Sequence, residues 1–282
     1  MDYTLLYQNI LIRDDRPALG SRHFNRNQRQ EAISYAERAA FAAHDTWGLP
    51  IYCDGSAIPR DDHMVPMKGG YSVVFPDQWF NPQLPSNATV PWRAVSWHVP
   101  SVYECLNSEL LAFCEGLSVA RFLRLYCPRW SNRQWRLSID LFSDNMTAVT
   151  LALQAQYLRP TDLETILAQP IVTRIVSLMW ELHSLNCVLR FPWIPGHHHG
   201  VRPFVLADNL ARAAAYSRRP WADGTLRGYT PVGPELQLQV MELARRHPEL
   251  DAQGRKISNQ GEIFQLSAEW WAWFRATFPS AG

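Results

Sequence analysis

Apolar residues change their spacing several times along the chain, and each change marks an element. Near the N-terminus, "RQEAISYAERAAFAAHDTW" sets Ala32, Ala36, Ala39, Ala40 and Ala43 at helical intervals among polar residues, which predicts a helix. "LPIYCD" predicts a short buried strand that ends at Asp54. "GGYSVVF" and "WRAVSWHV" predict two more strands, joined by the proline-rich loop "PDQWFNPQLPSNATVP". Pro100-Ser101 is expected to open a helix whose apolar stripe runs through Leu106, Leu110, Phe113, Leu117 and Phe122. Strict alternation of Trp135, Leu137, Ile139 and Leu141 in "WRLSIDLF" predicts a fourth strand. The cap signal Ser143-Asp144-Asn145 starts a helix, and Thr161 with Glu164 forms a capping box for another. "PIVTRIVSLMWELHSL" continues helically, "CVLRFPWIPG" predicts a final strand running into a turn, and "ADNLARAAAYSRR" predicts a helix with Asp208 in its first turns. From Pro220, "PWADGTLRGYTPVGPE" reads as linker, and two helical pieces follow, "ELQLQVMELARRH" and "GEIFQLSAEWWAWFRATF".

This order constrains the architecture. Three early strands can pair as an antiparallel meander. The later two are separated by helices and must join as parallel neighbours through crossovers. An α/β fold follows, with a mixed sheet flanked by helices on both faces.

Composition adds limits. Over 282 residues, 47% are hydrophobic and 19% charged, enough to bury a full core. The formal net charge of +1 gives no global basic excess, so any surface for nucleic acid must be local. Lys68 and Lys256 are the only lysines, and arginine supplies the remaining basic side chains. Cys53, Cys105, Cys114, Cys127 and Cys187 are odd in number, form no CxxC pair and fall in predicted core elements, so buried free thiols in a reducing compartment are expected. No secretory signal and no membrane-length apolar run are visible, which predicts an intracellular location, cytoplasmic or nuclear.

Four carboxylates stand out by position. Asp54 and Asp144 each lie at the carboxyl end of a predicted strand, where open α/β sheets bind ligands. Glu109 lies on the first long helix, and Asp208 begins a later one. Taken singly, each has an ordinary explanation: a turn at Asp54-Gly55-Ser56, an N-cap at Ser143-Asp144, a solvated helix face at Glu109, a helix-dipole partner at Asp208. Brought into one cleft they would repel strongly unless divalent cations neutralised them.

"IYCDGS", "NSELLAFCEGL", "IDLFSDNMTAV", "WIPGHHHG" and "LADNLARAA" together resemble the successive motifs of the type 1 ribonuclease H family, cellular and retrotransposon-borne members above all. The resemblance runs from about Pro50 to Arg218. It implies a ribonuclease H-like mixed five-stranded sheet, three strands antiparallel and two parallel, flanked by helices. It divides the chain into a helical N-terminal extension (1–48), a catalytic domain (49–219), and a linker with a helical C-terminal extension (220–282). The implied activity is two-metal cleavage of the RNA strand of RNA–DNA hybrids. Asp54, Glu109, Asp144 and Asp208 match the metal ligands, for two Mg2+ ions with Mn2+ as a substitute. His197 matches a loop histidine near the scissile phosphate, with His198 as the alternative if the loop register shifts. Gly55, Ser56, Asn107, Ser108 and Asn145 flank the acidic positions and are candidate substrate contacts, the last three for ribose 2′-hydroxyls.

The chain departs from the family pattern in its last loop, "GHHHGVRPFVLAD", which lacks the usual Asn-Glu. A reading of another class is therefore carried beside the enzyme: a transposon-derived module with weak or no catalysis, serving nucleic-acid binding or protein assembly. The tail with Trp270, Trp271, Trp273 and Phe274 is expected either to pack on the core or to bind a protein partner or a second copy.

Overall fold

The computed structural model describes residues 26–41, 48–58, 67–77, 92–102, 105–128, 130–132, 134–145, 148–149, 169–196, 200–217, 221–222 and 229–246. Helix α1 spans Arg26–Phe41. Three long strands follow: β1 (Gly48–Ile58), β2 (Met67–Pro76) and β3 (Trp92–Val102). Helix α2 (Cys105–Tyr126) leads to β4 (Leu137–Phe142), and α3 (Gln169–Ser184) leads to β5 (Cys187–Arg190). Then come α4 (Arg202–Ser217), β6 (Trp221–Ala222) and α5 (Gly233–Arg246).

The strands form one sheet in the order β5-β4-β1-β2-β3-β6. β1, β2 and β3 pair antiparallel, while β4 joins β1 in parallel and β5 joins β4 in parallel. This is the mixed ribonuclease H-like sheet of five strands expected from the resemblance, with β6 added against β3. One face is covered by α2, α3 and α5, and its core runs through Ile51, Cys53, Val73, Leu110, Phe113, Leu117, Ile139, Leu141 and Ile175. The other face is covered by α1 and α4, around Tyr52, Val74, Phe142, Phe204 and Ala207. Small residues let α4 lie close to β2. A Cβ on Gly70 would sit 2.3 Å from the Ala211 carbonyl oxygen and 2.4 Å from the Ala215 nitrogen. Ser72 Oγ donates to the Ala207 carbonyl at 2.6 Å, and His98 Nδ1 lies 3.1 Å from the Ala214 carbonyl oxygen.

Four sequence expectations need correction. β1 does not end at Asp54. It runs on to Ile58, because its ladder with β2 continues from Asp54↔Ser72 to Ile58↔Lys68. Pro100-Ser101 does not open a helix. β3 extends to Val102, and the register with β2 shifts between Met67 and Gly69, so Pro100 stands where no ladder bond is required of it. The helix carrying Asp208 begins earlier, at Arg202, with Pro203 tolerated in its first turn, which places Asp208 in the second turn. Within the supposed linker after Pro220, Trp221 and Ala222 pair with Ser96 and Val95. The helix proposed around Thr161 and Glu164, and the tryptophan-rich tail, lie outside the described residues. Cys53, Cys114, Cys127 and Cys187 are buried and free, as expected. Among the described residues, no helix is long and apolar enough to cross a membrane.

Helix α5 is tied to α2 by a buried carboxyl group. Glu115, fully enclosed on α2, accepts hydrogen bonds from Tyr71 Oη at 3.0 Å, from Tyr229 Oη and from the Gly233 amide at 3.1 Å. Gly233 begins α5, so this anion lies at a helix N-terminus, where exposed amides and the helix dipole favour it. A side chain there has no room, since a Cβ would meet Tyr71 Oη at 1.9 Å. Burial raises the Glu115 carboxyl above its usual range, and its hydrogen-bond donors oppose the shift.

A carboxyl whose pKa is raised on folding holds its proton more tightly in the folded state. Its stabilising contribution is therefore complete below the unfolded pKa and is lost as pH rises through the folded value. Glu115→Gln removes this titration. The stability of the variant relative to wild type is expected to rise as pH increases above the ordinary glutamate range, until wild-type Glu115 is fully ionised, measured by urea unfolding at a series of pH values. A difference independent of pH would return Glu115 to ordinary behaviour.

Candidate metal centre

The parallel ladder between β1 and β4 pairs Gly48 with Ser138 and ends on the rung Tyr52↔Phe142. Beyond that rung β1 continues beside β2 alone. Asp54 and Asp144 each follow the rung by two residues. Strand alternation therefore puts Asp54 on the same face as Tyr52. The chain after β4 is held by a bridge between Ser143 and Trp193 and by Ile194 N donating to the Ser143 carbonyl at 3.0 Å. Trp193 Nε1 donates to the Asp144 carbonyl at 2.9 Å. The "WIPG" turn presses against Asp144 itself, since a Cβ on Gly196 would lie 2.6 Å from Asp144 Oδ2.

Glu109 arrives from the N-terminal part of α2. A Cβ on Gly55 would stand 2.4 Å from the Glu109 nitrogen and 2.5 Å from the Ser108 carbonyl carbon. Glycine at 55 thus serves close approach of a helix to a strand, not the turn that Asp-Gly-Ser usually signals. The Gly55 amide donates to Glu109 Oε2 at 3.0 Å, and the Asn145 side chain also hydrogen-bonds this carboxylate.

Ligand oxygens of Asp54, Glu109 and Asp144 all lie within 4.8 Å of one another. Asp54 and Glu109 are buried, and Asp144 is half-buried. Burial, then repulsion from Asp144 and Asp208, pushes the Asp54 carboxyl well up, with Arg212 opposing. Burial, then repulsion from Asp54 and Asp144, does the same to Glu109, against the bonds from Gly55 and Asn145. Three converging carboxylates are costly in this setting. Their chemistry fits a hard divalent cation: all donors are carboxylate oxygens, and a cation would supply the charge they lack.

Asp208 is not one of the three. It stands near enough to repel Asp54, but its two oxygens accept hydrogen bonds from Arg212 Nη2 at 2.7 and 2.9 Å. Arg212 lies one turn along α4 and is half-exposed. Sequence reasoning passed over it, although the spacing in "DNLAR" is the i,i+4 arrangement that pairs opposite charges on a helix. Among the candidate substrate contacts, Ser56 is half-buried on β1 opposite Gly70. Asn107 and Ser108 are buried, and Asn107 Oδ1 and Ser108 Oγ have no hydrogen-bond partner among the described residues. Ser108 Oγ faces β2, 2.7 Å from the position of a Cβ on Gly69. Asn145 Oδ1 accepts from the Ala148 amide at 2.9 Å, capping the helical residues that follow. His197 and His198 lie outside the described residues.

No family model matches the chain, and no curated protein matches it in sequence. Solved structures do match, at low identity. LC9-RNase H1, described as a type 1 RNase H with the type 2 active-site motif, is 16% identical with a TM-score of 0.41, covering 74% of this chain and 86% of that one. A foamy viral protease-reverse transcriptase in complex with RNA/DNA hybrid is 12% identical with a TM-score of 0.38, over 60% of this chain and 20% of that one. The RNase H domain of prototype foamy virus, solved in solution, is 17% identical with a TM-score of 0.36, over 60% and 94%. What the site can do follows from its own geometry.

The tight contact at Gly55 is testable. Because the atoms nearest the added carbon belong to the α2 backbone, Gly55→Ala must displace the helix that carries Glu109. It is expected to weaken Mn2+ binding and to cost roughly 1–3 kcal/mol of stability through overpacking. Isothermal titration and urea unfolding check the two effects. Unchanged Mn2+ affinity would show that this contact does not set the position of Glu109.

Proposed function

We propose that this ribonuclease H-like protein hydrolyses the RNA strand of RNA–DNA hybrids at the Asp54–Glu109–Asp144 cluster. The observation that carries the reading is the convergence of three carboxylates from three separate elements within 4.8 Å, on a sheet whose strand order matches the expected fold. A buried cluster of carboxylates is costly to fold, and a bound cation would offset that cost.

In this reading Asp54, Glu109 and Asp144 hold Mg2+, or Mn2+ in its place, and Asp208 joins them for a second ion. Bound there, such cations would supply an activated water and a counter-charge for the leaving 3′ oxygen. The residues of the chain do the positioning. Gly55 N and the Asn145 side chain orient the Glu109 carboxylate, and the Trp193–Gly196 turn confines Asp144. Arg212, half-exposed beside the site, has the forked geometry that suits a phosphate of the bound strand. Asn107 Oδ1, an acceptor without a partner among the described residues, suits the donor hydrogen of a ribose 2′-hydroxyl, and Gly55, Ser56, Ser108 and Asn145 are assigned to further substrate contacts. His197 is assigned proton transfer or product departure. The unit proposed to carry this chemistry is 49–219, with 1–48 and 220–282 as extensions and the tryptophan-rich tail as a site for a partner or a second copy.

The deciding experiment is a Mg2+-dependent cleavage assay on a labelled RNA–DNA hybrid, with single-stranded RNA, RNA duplex and DNA duplex as controls. Binding of the hybrid without cleavage would favour the binding-module reading. Asp54→Asn keeps the shape and removes one charge, and it is expected to abolish cleavage while hybrid binding persists. Cleavage at the wild-type rate by this variant would exclude the role given to Asp54. His197→Ala is expected to slow turnover by about 10²–10⁴-fold or less and to leave Mn2+ binding intact. A larger effect from His198→Ala would move the role to that residue.

A further inference from the structure

Two aromatic rings lie directly behind the carboxylates. Tyr52 and Phe142 form the last rung of the parallel ladder, and their rings stack at 4.7 Å with planes 8° apart. Asp54 and Asp144 follow two residues later on the same two strands. Past the rung β1 and β4 share no ladder, so their separation there depends on what holds the rung.

Helix α1 holds it. Tyr52 Oη donates to the Ala36 carbonyl at 2.9 Å, which ties β1 to α1. The Tyr35 ring packs on Phe142 at 5.8 Å, and Tyr35 Oη donates to Asp140 Oδ2 at 2.8 Å, which ties β4 to the same helix. Asp140 in turn accepts a fork from Arg190 Nε and Nη2, so β5 joins the frame. Ile33 and Ala36 share the buried cluster with Tyr52 and Phe142. Two consecutive residues of one helix thus grip the two strands that carry Asp54 and Asp144.

We propose that α1 is a working part of the metal centre, and that Tyr35 and Tyr52 are positioning residues that fix the spacing of Asp54 and Asp144 and hence the affinity for a divalent cation. This rests on the reading that the cluster holds a cation. The physical reason is that the carboxylates repel one another, whereas Mg2+ accepts little departure from its octahedral shell. A frame must oppose the repulsion, and the last rung of the ladder is where it can act. The segment lies outside the stretch that resembles ribonuclease H, so the chain brings its own support to the site.

The test is Mn2+ binding by isothermal titration on the full chain, with no nucleic acid present. Tyr35→Phe and Tyr52→Phe each remove one hydroxyl and keep the ring. In combination they are expected to raise the Mn2+ dissociation constant by about three- to tenfold, as loss of hydrogen bonds of ordinary strength would. Tyr71→Phe is the control. It removes a tyrosine hydroxyl from another buried carboxylate, Glu115, on the opposite face, and should lower the melting temperature with no change in Mn2+ affinity. Wild-type affinity in Y35F/Y52F would overturn the proposal, and so would equal weakening in Y71F, because general loosening would then explain both. Should the double variant fail to fold, the two single variants decide by the same criteria. If the wild type binds Mn2+, D54N abolishes that binding and the tyrosine variants change nothing, the proposal fails alone. If the wild type binds no Mn2+, the cation reading fails together with it.

Discussion

The parallel ladder of β1 and β4 stops at Tyr52↔Phe142, and the candidate site depends on that stop. Up to the rung, hydrogen bonding between the strands fixes their spacing at the ordinary distance of a sheet. Beyond it β1 keeps β2 as its neighbour, while the chain after β4 turns to meet Trp193 and Ile194. The two segments part there, and each contributes one carboxylate to the cluster. Had β4 continued beside β1, Asp144 would be a strand residue in that ladder.

Two glycines complete what the ladder begins. Gly55 admits the backbone of α2 on one face, bringing Glu109 to Asp54, and Gly70 admits α4 on the other, bringing Asp208 near. Both helices lie too close to the sheet for a side chain to intervene. The same closeness buries Asp54 and Glu109, so the arrangement that assembles the cluster also raises its electrostatic cost.

Helix α2 carries two buried glutamates, and their surroundings differ. Glu115 is ringed by donors from Tyr71, Tyr229 and the start of α5, and its anion is satisfied within the protein. Glu109 has the Gly55 amide and the Asn145 side chain, and it faces two more carboxylates. The first pattern stabilises a helix junction. The second leaves a carboxyl crowded by like charges, which is costly for a fold and is the setting in which a cation can bind.

Much was legible along the chain, and the reason is local. Alternation placed the strands, because a half-buried sheet imposes a two-residue period whatever its neighbours. The short motifs around Asp54, Glu109, Asp144 and Asp208 marked candidate ligands. The ends of elements were less legible. Asp54 looked terminal because the apolar run stops there, yet the partner β2 carries the strand on to Ile58. Only the tertiary structure decided which carboxylates converge. Asp54, Glu109 and Asp144 meet across gaps of 55 and 35 positions in the chain, through contacts at Gly55 and Gly196 that no local pattern encodes. Asp208, equally marked in sequence, is engaged by Arg212. Nor did the alanine pattern of the first helix disclose that Tyr35 and the Ala36 carbonyl would reach the strands behind the site. Periodicity is a property of neighbours along the backbone, whereas a site is a property of neighbours in space.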